Sequence, residues 1–200
     1  KIPVSSYLTD RVDFATFSGH KFHAVRGVGF VYKKAGKKIT PLLTGGGQEK
    51  DFRSTTENVA GIASMAKALR LVTDKEEFSL PKIAKMKKII FDELAKYEDI
   101  TIFSGEGEDF APNILTFGIK GVRGEVIVHA FEEHQIYIST TSACSSKAGK
   151  PAGTLISMGV PTKLAQTAVR ISLDDDNDMG QVEQFLTIFK QVYAKTQKVR

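Results

Sequence analysis

The sequence holds a single cysteine, Cys144, among 200 residues. One cysteine excludes an internal disulfide and any metal site built from several thiolates. It leaves a thiol that is either buried or reactive. No apolar run approaches the length of a membrane-spanning helix, about 20 residues, and the first residues carry no secretory signal pattern. Internal repeats and low-complexity tracts are also missing. These absences are those expected of a cytoplasmic protein kept reduced. The chain opens on Lys1 and not on Met, the pattern expected of a chain processed, trimmed or cut from something longer.

What is present is globular in profile. Hydrophobic residues make up 42% and charged residues 26% of the chain, enough for a core of ordinary size in one large domain or two small ones. The net charge is +5. Much of the excess sits in "KKAGKK" and "KIAKMKK", which read as solvated faces. No aromatic interleaving or binding motif accompanies them, which argues against direct nucleic-acid binding.

Strands and helices alternate along the chain, giving an α/β or α+β class. "VDFATF" (Val12 to Phe17) alternates apolar and polar like a half-buried strand, and "GVGFVYKK" is a second strand. "TGGGQEK" is a glycine turn. Ser54 and Glu57 have capping-box spacing and predict a helix start ahead of Val59, Ile62, Ala63, Ala66 and Leu69. A second helix is expected from about Pro81 to Tyr97, with Pro81 in its first turn. "DITIF", "NILTFGI", "IYIST" and "AVRISL" read as strands, and "GEVIVHAFEEH" as a helix. Asp178 and Gln181 repeat the capping-box spacing and open a final helix. A domain boundary is expected in "DKEEFSL", near residues 74–80.

Several residues carry possible chemistry. Lys21 lies in "FSGHKFH", at the end of a strand and between apolar Phe17 and Phe22. It is either an ordinary surface lysine or a desolvated, nucleophilic amine able to form a Schiff base. Ser18, His20 and His23 could bind an anion or stack on a ring, and no carboxylate lies near them in sequence to complete a metal site. "RSTTEN", Arg53 to Asn58, opens a helix, where free N–H groups favour anions as well as caps. Cys144 sits in the polar "TSACSS", a setting for an accessible thiol rather than a core one. Arg170, inside apolar "AVRISL", needs a partner: a structural carboxylate or a substrate carboxylate held bidentately.

In order along the chain, these segments resemble the cysteine desulfurases, pyridoxal-phosphate enzymes of fold type I. "SGHKFHAVRGVGFVY" resembles the cofactor-lysine segment and "GGGQEKDFRSTTENVAG" the glycine turn and phosphate helix. "TSACSS" is similar to the sulfur-carrying cysteine loop of the iron–sulfur and tRNA-thiolation subgroup, and "AVRISL" to the substrate-carboxylate strand. The resemblance implies that Lys21 forms the Schiff base with pyridoxal 5'-phosphate and shuttles protons. It implies that Ser18 and His20 bind the cofactor phosphate, with His20 counted among the catalytic groups, and that Thr56 reaches the phosphate of a partner subunit in a homodimer. Arg170 would hold the carboxylate of L-cysteine. Cys144 would take its sulfur as a persulfide for an acceptor, an iron–sulfur scaffold or a tRNA-thiolation enzyme. Ala24-Val25, Gln48, Thr55 and Thr141 depart from the family pattern, and at Thr55 and Thr141 strain at positive φ is expected.

In the family about half the chain precedes the lysine. By this resemblance residues 1–78 are the C-terminal part of the large cofactor domain and 79–200 the small α+β C-terminal domain. A C-terminal fragment of this kind is expected to bind the cofactor poorly and turn over cysteine little by itself. The rivals are an aminotransferase or selenocysteine lyase of the same fold, and a non-catalytic partner-binding domain.

Overall fold

The structure, a computed structural model, describes residues 8–107, 109–140 and 153–198. The chain divides into two compact units, residues 1–77 and 78–200.

In the first unit, strands β1 (Phe14–Ser18) and β2 (Gly29–Lys33) form an antiparallel pair. Phe17 lies opposite Phe30, and their rings stack with centroids 4.6 Å apart. A Cβ at Gly29 would run into the carbonyl oxygen of Phe17, so only glycine lets β2 pair this closely here. Between the strands lies a 3-10 turn, Gly19–Phe22. A second such stretch, Gln48–Asp51, follows the glycine turn.

Helix α1 (Val59–Leu94) is continuous, where the sequence suggests two helices. Its start is set by Asn58, whose Oδ1 accepts the Gly61 N–H at 3.0 Å. The Ser54–Glu57 box is therefore not the cap; an asparagine directly before the first turn satisfies the same orphan donor. A Cβ at Gly61 would strike the Asn58 amide, so a side chain there would push the cap aside. Pro81 lies inside α1. It has no N–H to give and its ring crowds the carbonyl four residues back, a cost of about 3 kcal/mol. That carbonyl belongs to residue 77, where the two compact units divide. The helix continues because Ile83, Met86, Ile90 and Leu94 form a buried stripe after it, each worth roughly 1.5–3 kcal/mol on burial.

The second unit is α+β. Strands β3 (Ile100–Ile102), β4 (Ile114–Ile119), β5 (Ser139–Thr140) and β6 (Ala168–Ser172) form an antiparallel sheet in the order β3-β4-β6-β5. On one face, Leu115, Phe117, Ile119, Val169 and Ile171 meet the stripe of α1 and residues of α2 (Gly124–Glu132) and α5 (Met179–Lys198) in one cluster. Phe131 and Phe185 stack at 5.1 Å within it. The α5 cap follows the spacing read from sequence: Gln181 N–H donates to Asp178 Oδ1 at 2.9 Å, and Asp178 N–H to Gln181 Oε1 at 3.2 Å. Two short helices, α3 (Gly153–Ser157) and α4 (Thr162–Ala165), bring Leu155 and Ala165 against Ala168 in a smaller cluster.

Candidate functional site

The turn carrying Lys21 is built by backbone geometry. β1 ends at Ser18, and Gly19 N–H donates to the Val28 carbonyl at 2.9 Å. A Cβ on Gly19 would come within 2.9 Å of that oxygen, so the chain can fold back here only at glycine. The turn closes with His23 in the left-handed region, φ 72. The Ala24 N–H then returns to the Gly19 carbonyl at 3.1 Å. Ser18, His20 and Lys21 are thereby held on four consecutive positions, all three exposed. The described residues do not bury Lys21, so the desolvation expected from its apolar flanks is not supplied by them.

One hydrogen bond ties this loop to α1: Val25 N–H donates to Ser64 Oγ at 3.3 Å. Thr56 lies in the same unit, exposed, just before the Asn58 cap. Thr55 is not at positive φ, contrary to the strain expected there; it sits in open loop ahead of the helix rather than in a tight turn. The strain lies earlier, in the glycine segment. Glu49, Lys50 and Asp51 are consecutive non-glycine residues at φ 51, 55 and 64, a conformation costing about 1–2 kcal/mol per residue. Beside them, Gln48 Oε1 is buried with no partner among the described residues.

Arg170 belongs to the second unit. On β6 it lies between Val169 and Ile171, both in the core cluster, so alternation puts it on the opposite face. It is half-buried. Its Nε is buried and has no hydrogen-bond partner among the described residues, so the structural ion pair weighed from sequence is not found there. Cys144 and Thr141 lie outside the described residues.

A charged residue that sequence reading missed is Lys87. "KIAKMKK" reads as a solvated face, yet Lys87 is 6% exposed. Its Nζ donates to the carbonyls of Gly105 and Ala111 at 3.2 and 2.9 Å, holding both ends of the β3–β4 loop. Burial pushes its pKa down, and the charge of Glu106 partly offsets this. The available signal was its place four residues after Ile83 and next to Met86, on the buried stripe. Neighbouring Lys88 is exposed and pairs with Asp92 and Glu106 at 3.0 and 3.2 Å.

The donor set on the lysine turn suits a phosphate ester bearing an aldehyde. The primary amine can bond covalently to the aldehyde carbon, while the hydroxyl and imidazole N–H can donate to phosphate oxygens. Arg170, whose buried Nε has no partner among the described residues, suits a carboxylate.

The family model described as aminotransferase class-V matches residues 8–185. A protein from Lactobacillus delbrueckii subsp. bulgaricus named NifS/IcsS protein homolog is 47% identical over 191 residues, covering 96% of this chain and 50% of its own. Cysteine desulfurase IscS of Dictyoglomus turgidum is 35% identical over 162 residues, 81% of this chain and 41% of its own. Among solved structures, a NifS-like protein from Rickettsia africae superimposes with a TM-score of 0.80 at 32% identity, over 92% of this chain and 48% of that one. The chain spans about half the length of the curated relatives it matches.

Proposed function

Since the chain belongs to the aminotransferase class-V family, we propose that the protein is a pyridoxal-phosphate-dependent cysteine desulfurase, converting L-cysteine to L-alanine and passing the sulfur onward. The observation that carries this reading is the turn Ser18–Lys21, which gathers amine, hydroxyl and imidazole on one backbone reversal. It lies within a match to relatives named as cysteine desulfurases. The cofactor, when bound, supplies the electron sink for chemistry at the substrate carbon. Lys21 holds it through its ε-amine and keeps a proton at Nζ for that carbon. Ser18 and His20 donate to its phosphate. Thr56 donates to the phosphate held by the partner subunit of a homodimer, so the second copy completes the site. Arg170 fixes the substrate carboxylate. Cys144 accepts the sulfur atom as a persulfide and hands it to an acceptor protein, an iron–sulfur scaffold or a tRNA-thiolation enzyme.

The residues of the first unit are those of the cofactor domain, and the α+β unit is the small C-terminal domain. No described helix is long and apolar enough to cross a membrane; cytoplasmic placement follows from the reducing conditions a persulfide-carrying thiol requires.

The test uses the full-length protein with added pyridoxal phosphate. L-cysteine yields alanine and protein-bound persulfide in equal amounts. Lys21→Ala removes the visible absorption of bound cofactor and all turnover. Cys144→Ala keeps the absorption and loses persulfide. Retention of sulfur transfer in Cys144→Ala would point to a lyase of the same fold instead, and capture of acceptor proteins without any cofactor binding would point to a partner-binding domain.

A further inference from the structure

Two residues flank Arg170 across the sheet. The register sets Thr116 of β4 opposite it on one side and Ser139 of β5 opposite it on the other. Directly opposed residues in antiparallel strands share a face, with Cβ atoms about 4.5–5.5 Å apart. The three therefore form one polar row, hydroxyl, guanidinium, hydroxyl, on the face turned from the main core. Elsewhere that face is mixed: Gly118 pairs with Ala168, which packs on Leu155 and Ala165, and Ile114 pairs with Ser172. A polar row in such surroundings, with Arg170 Nε buried and unpartnered among the described residues, is unfinished without an acceptor for the guanidinium.

The two hydroxyls are not equivalent. Thr116 is 9% exposed, in mid-sheet. Its N–H donates to Ser104 Oγ at 2.8 Å and its carbonyl accepts the Phe103 N–H at 2.8 Å. It is a fixed part of the sheet where β3 gives way to its loop. Ser139 is half-buried, as Arg170 is. It stands on the sheet's terminal strand, two residues long. Among the described residues, a small anion approaching from that edge meets Ser139 and Arg170 together.

We infer that Ser139 is a carboxylate-binding residue that acts with Arg170. Nε–H and one terminal N–H of the guanidinium take the carboxylate side-on, and the Ser139 hydroxyl donates a third hydrogen bond to it. The set distinguishes amino acids from amines: a ligand with thiol and amine but no carboxylate gains nothing from it. This rests on the reading of Arg170 as the holder of the substrate carboxylate and adds a residue to it.

Calorimetric titration of the full-length protein tests this with two probes, 3-mercaptopropionate (carboxylate, no amine) and cysteamine (amine, no carboxylate). Ser139→Ala weakens 3-mercaptopropionate about 10-fold, the loss of one hydrogen bond to a charged group, leaves cysteamine unchanged, and raises KM for L-cysteine at constant kcat. Ser139→Thr, which keeps the hydroxyl, restores binding. Arg170→Ala removes 3-mercaptopropionate binding. Unchanged affinity in Ser139→Ala beside a loss in Arg170→Ala overturns the role of Ser139 and leaves that of Arg170 standing. Unchanged affinity in Arg170→Ala overturns both. Equal weakening of both probes in Ser139→Ala marks a general disturbance of the sheet edge and also overturns the inference.

Discussion

Replacing Lys87 by methionine removes a buried charge and both hydrogen bonds that hold the β3–β4 loop, with little change in volume. Two effects oppose each other. Gly105 and Ala111 each lose a charged donor at 3.2 and 2.9 Å, and hydrogen bonds to charged groups contribute about 1.5–3 kcal/mol each. Against this, the ammonium no longer has to leave water, a penalty of several kcal/mol for an isolated ion, reduced here because two carbonyls solvate it. Two carbonyls left without a partner beside a buried stripe outweigh the relief, and Lys87→Met is expected to destabilise by about 2 kcal/mol. For a chain of this size that is roughly 4–8 °C in Tm. The pH dependence has a definite sign. Folding lowers the Lys87 pKa, so between the folded value and the unfolded one, about 10.4, the unfolded state binds more protons. Wild-type stability therefore gains from this residue as pH rises through that window, while the neutral amine still donates to both carbonyls. The gap between wild type and Lys87→Met should widen on the alkaline side and stay flat below the folded pKa. Chemical denaturation of both proteins across neutral to alkaline pH measures it. A methionine variant as stable as wild type, or a gap that narrows with rising pH, would refute the argument.

Three further outcomes follow from the same geometry. Asp178→Ala removes the reciprocal cap of α5 and should cost about 1 kcal/mol with loss of helical circular dichroism on mild heating; no loss would mean the cap is idle. Glu93 has its pKa lowered chiefly by the Lys96 hydrogen bond at 2.6 Å, with Lys190 adding a contact at 3.2 Å. Its contribution is thus complete above the unfolded value, about 4.3, and fades as pH falls through the folded value. Glu93→Gln should lose about 0.5–1 kcal/mol at neutral pH and show a flatter acid limb, and a steeper limb would contradict this. Gly29→Ala drives a methyl group into the Phe17 carbonyl and should loosen the β1–β2 pair beside the lysine turn. Faster amide hydrogen exchange at Phe17 and Phe30 reads this out; unchanged protection would show that the pairing tolerates a side chain.

Much of the local order could be read from residue spacing. The strand alternation of β1 and the Asp178–Gln181 box need only neighbours along the chain, and both appear where spacing puts them. Errors arise where a local signal competes with packing. Pro81 is a good helix opener, yet it lies inside α1, because the stripe from Ile83 onward gains more from burial than the proline loses. Ser54 and Glu57 have cap spacing, but Asn58 stands nearer the first helical turn and takes the cap. The short helices α3 and α4 span five and four residues, too brief for helical periodicity to show.

The candidate site divides along the same line. The sequence by itself determined which residues offer reactive groups, because an amine, an imidazole, a hydroxyl and a thiol are properties of residue type, and it set Ser18, His20 and Lys21 on one turn, since Gly19 between them permits the reversal. Tertiary structure alone decided that Lys87 is inside, that Arg170 has a buried nitrogen without a partner among the described residues, and that Thr116 and Ser139 stand beside it. Those facts depend on pairing between strands separated by tens of residues. Register across a sheet is settled by which faces are buried together, a quantity that no single segment contains.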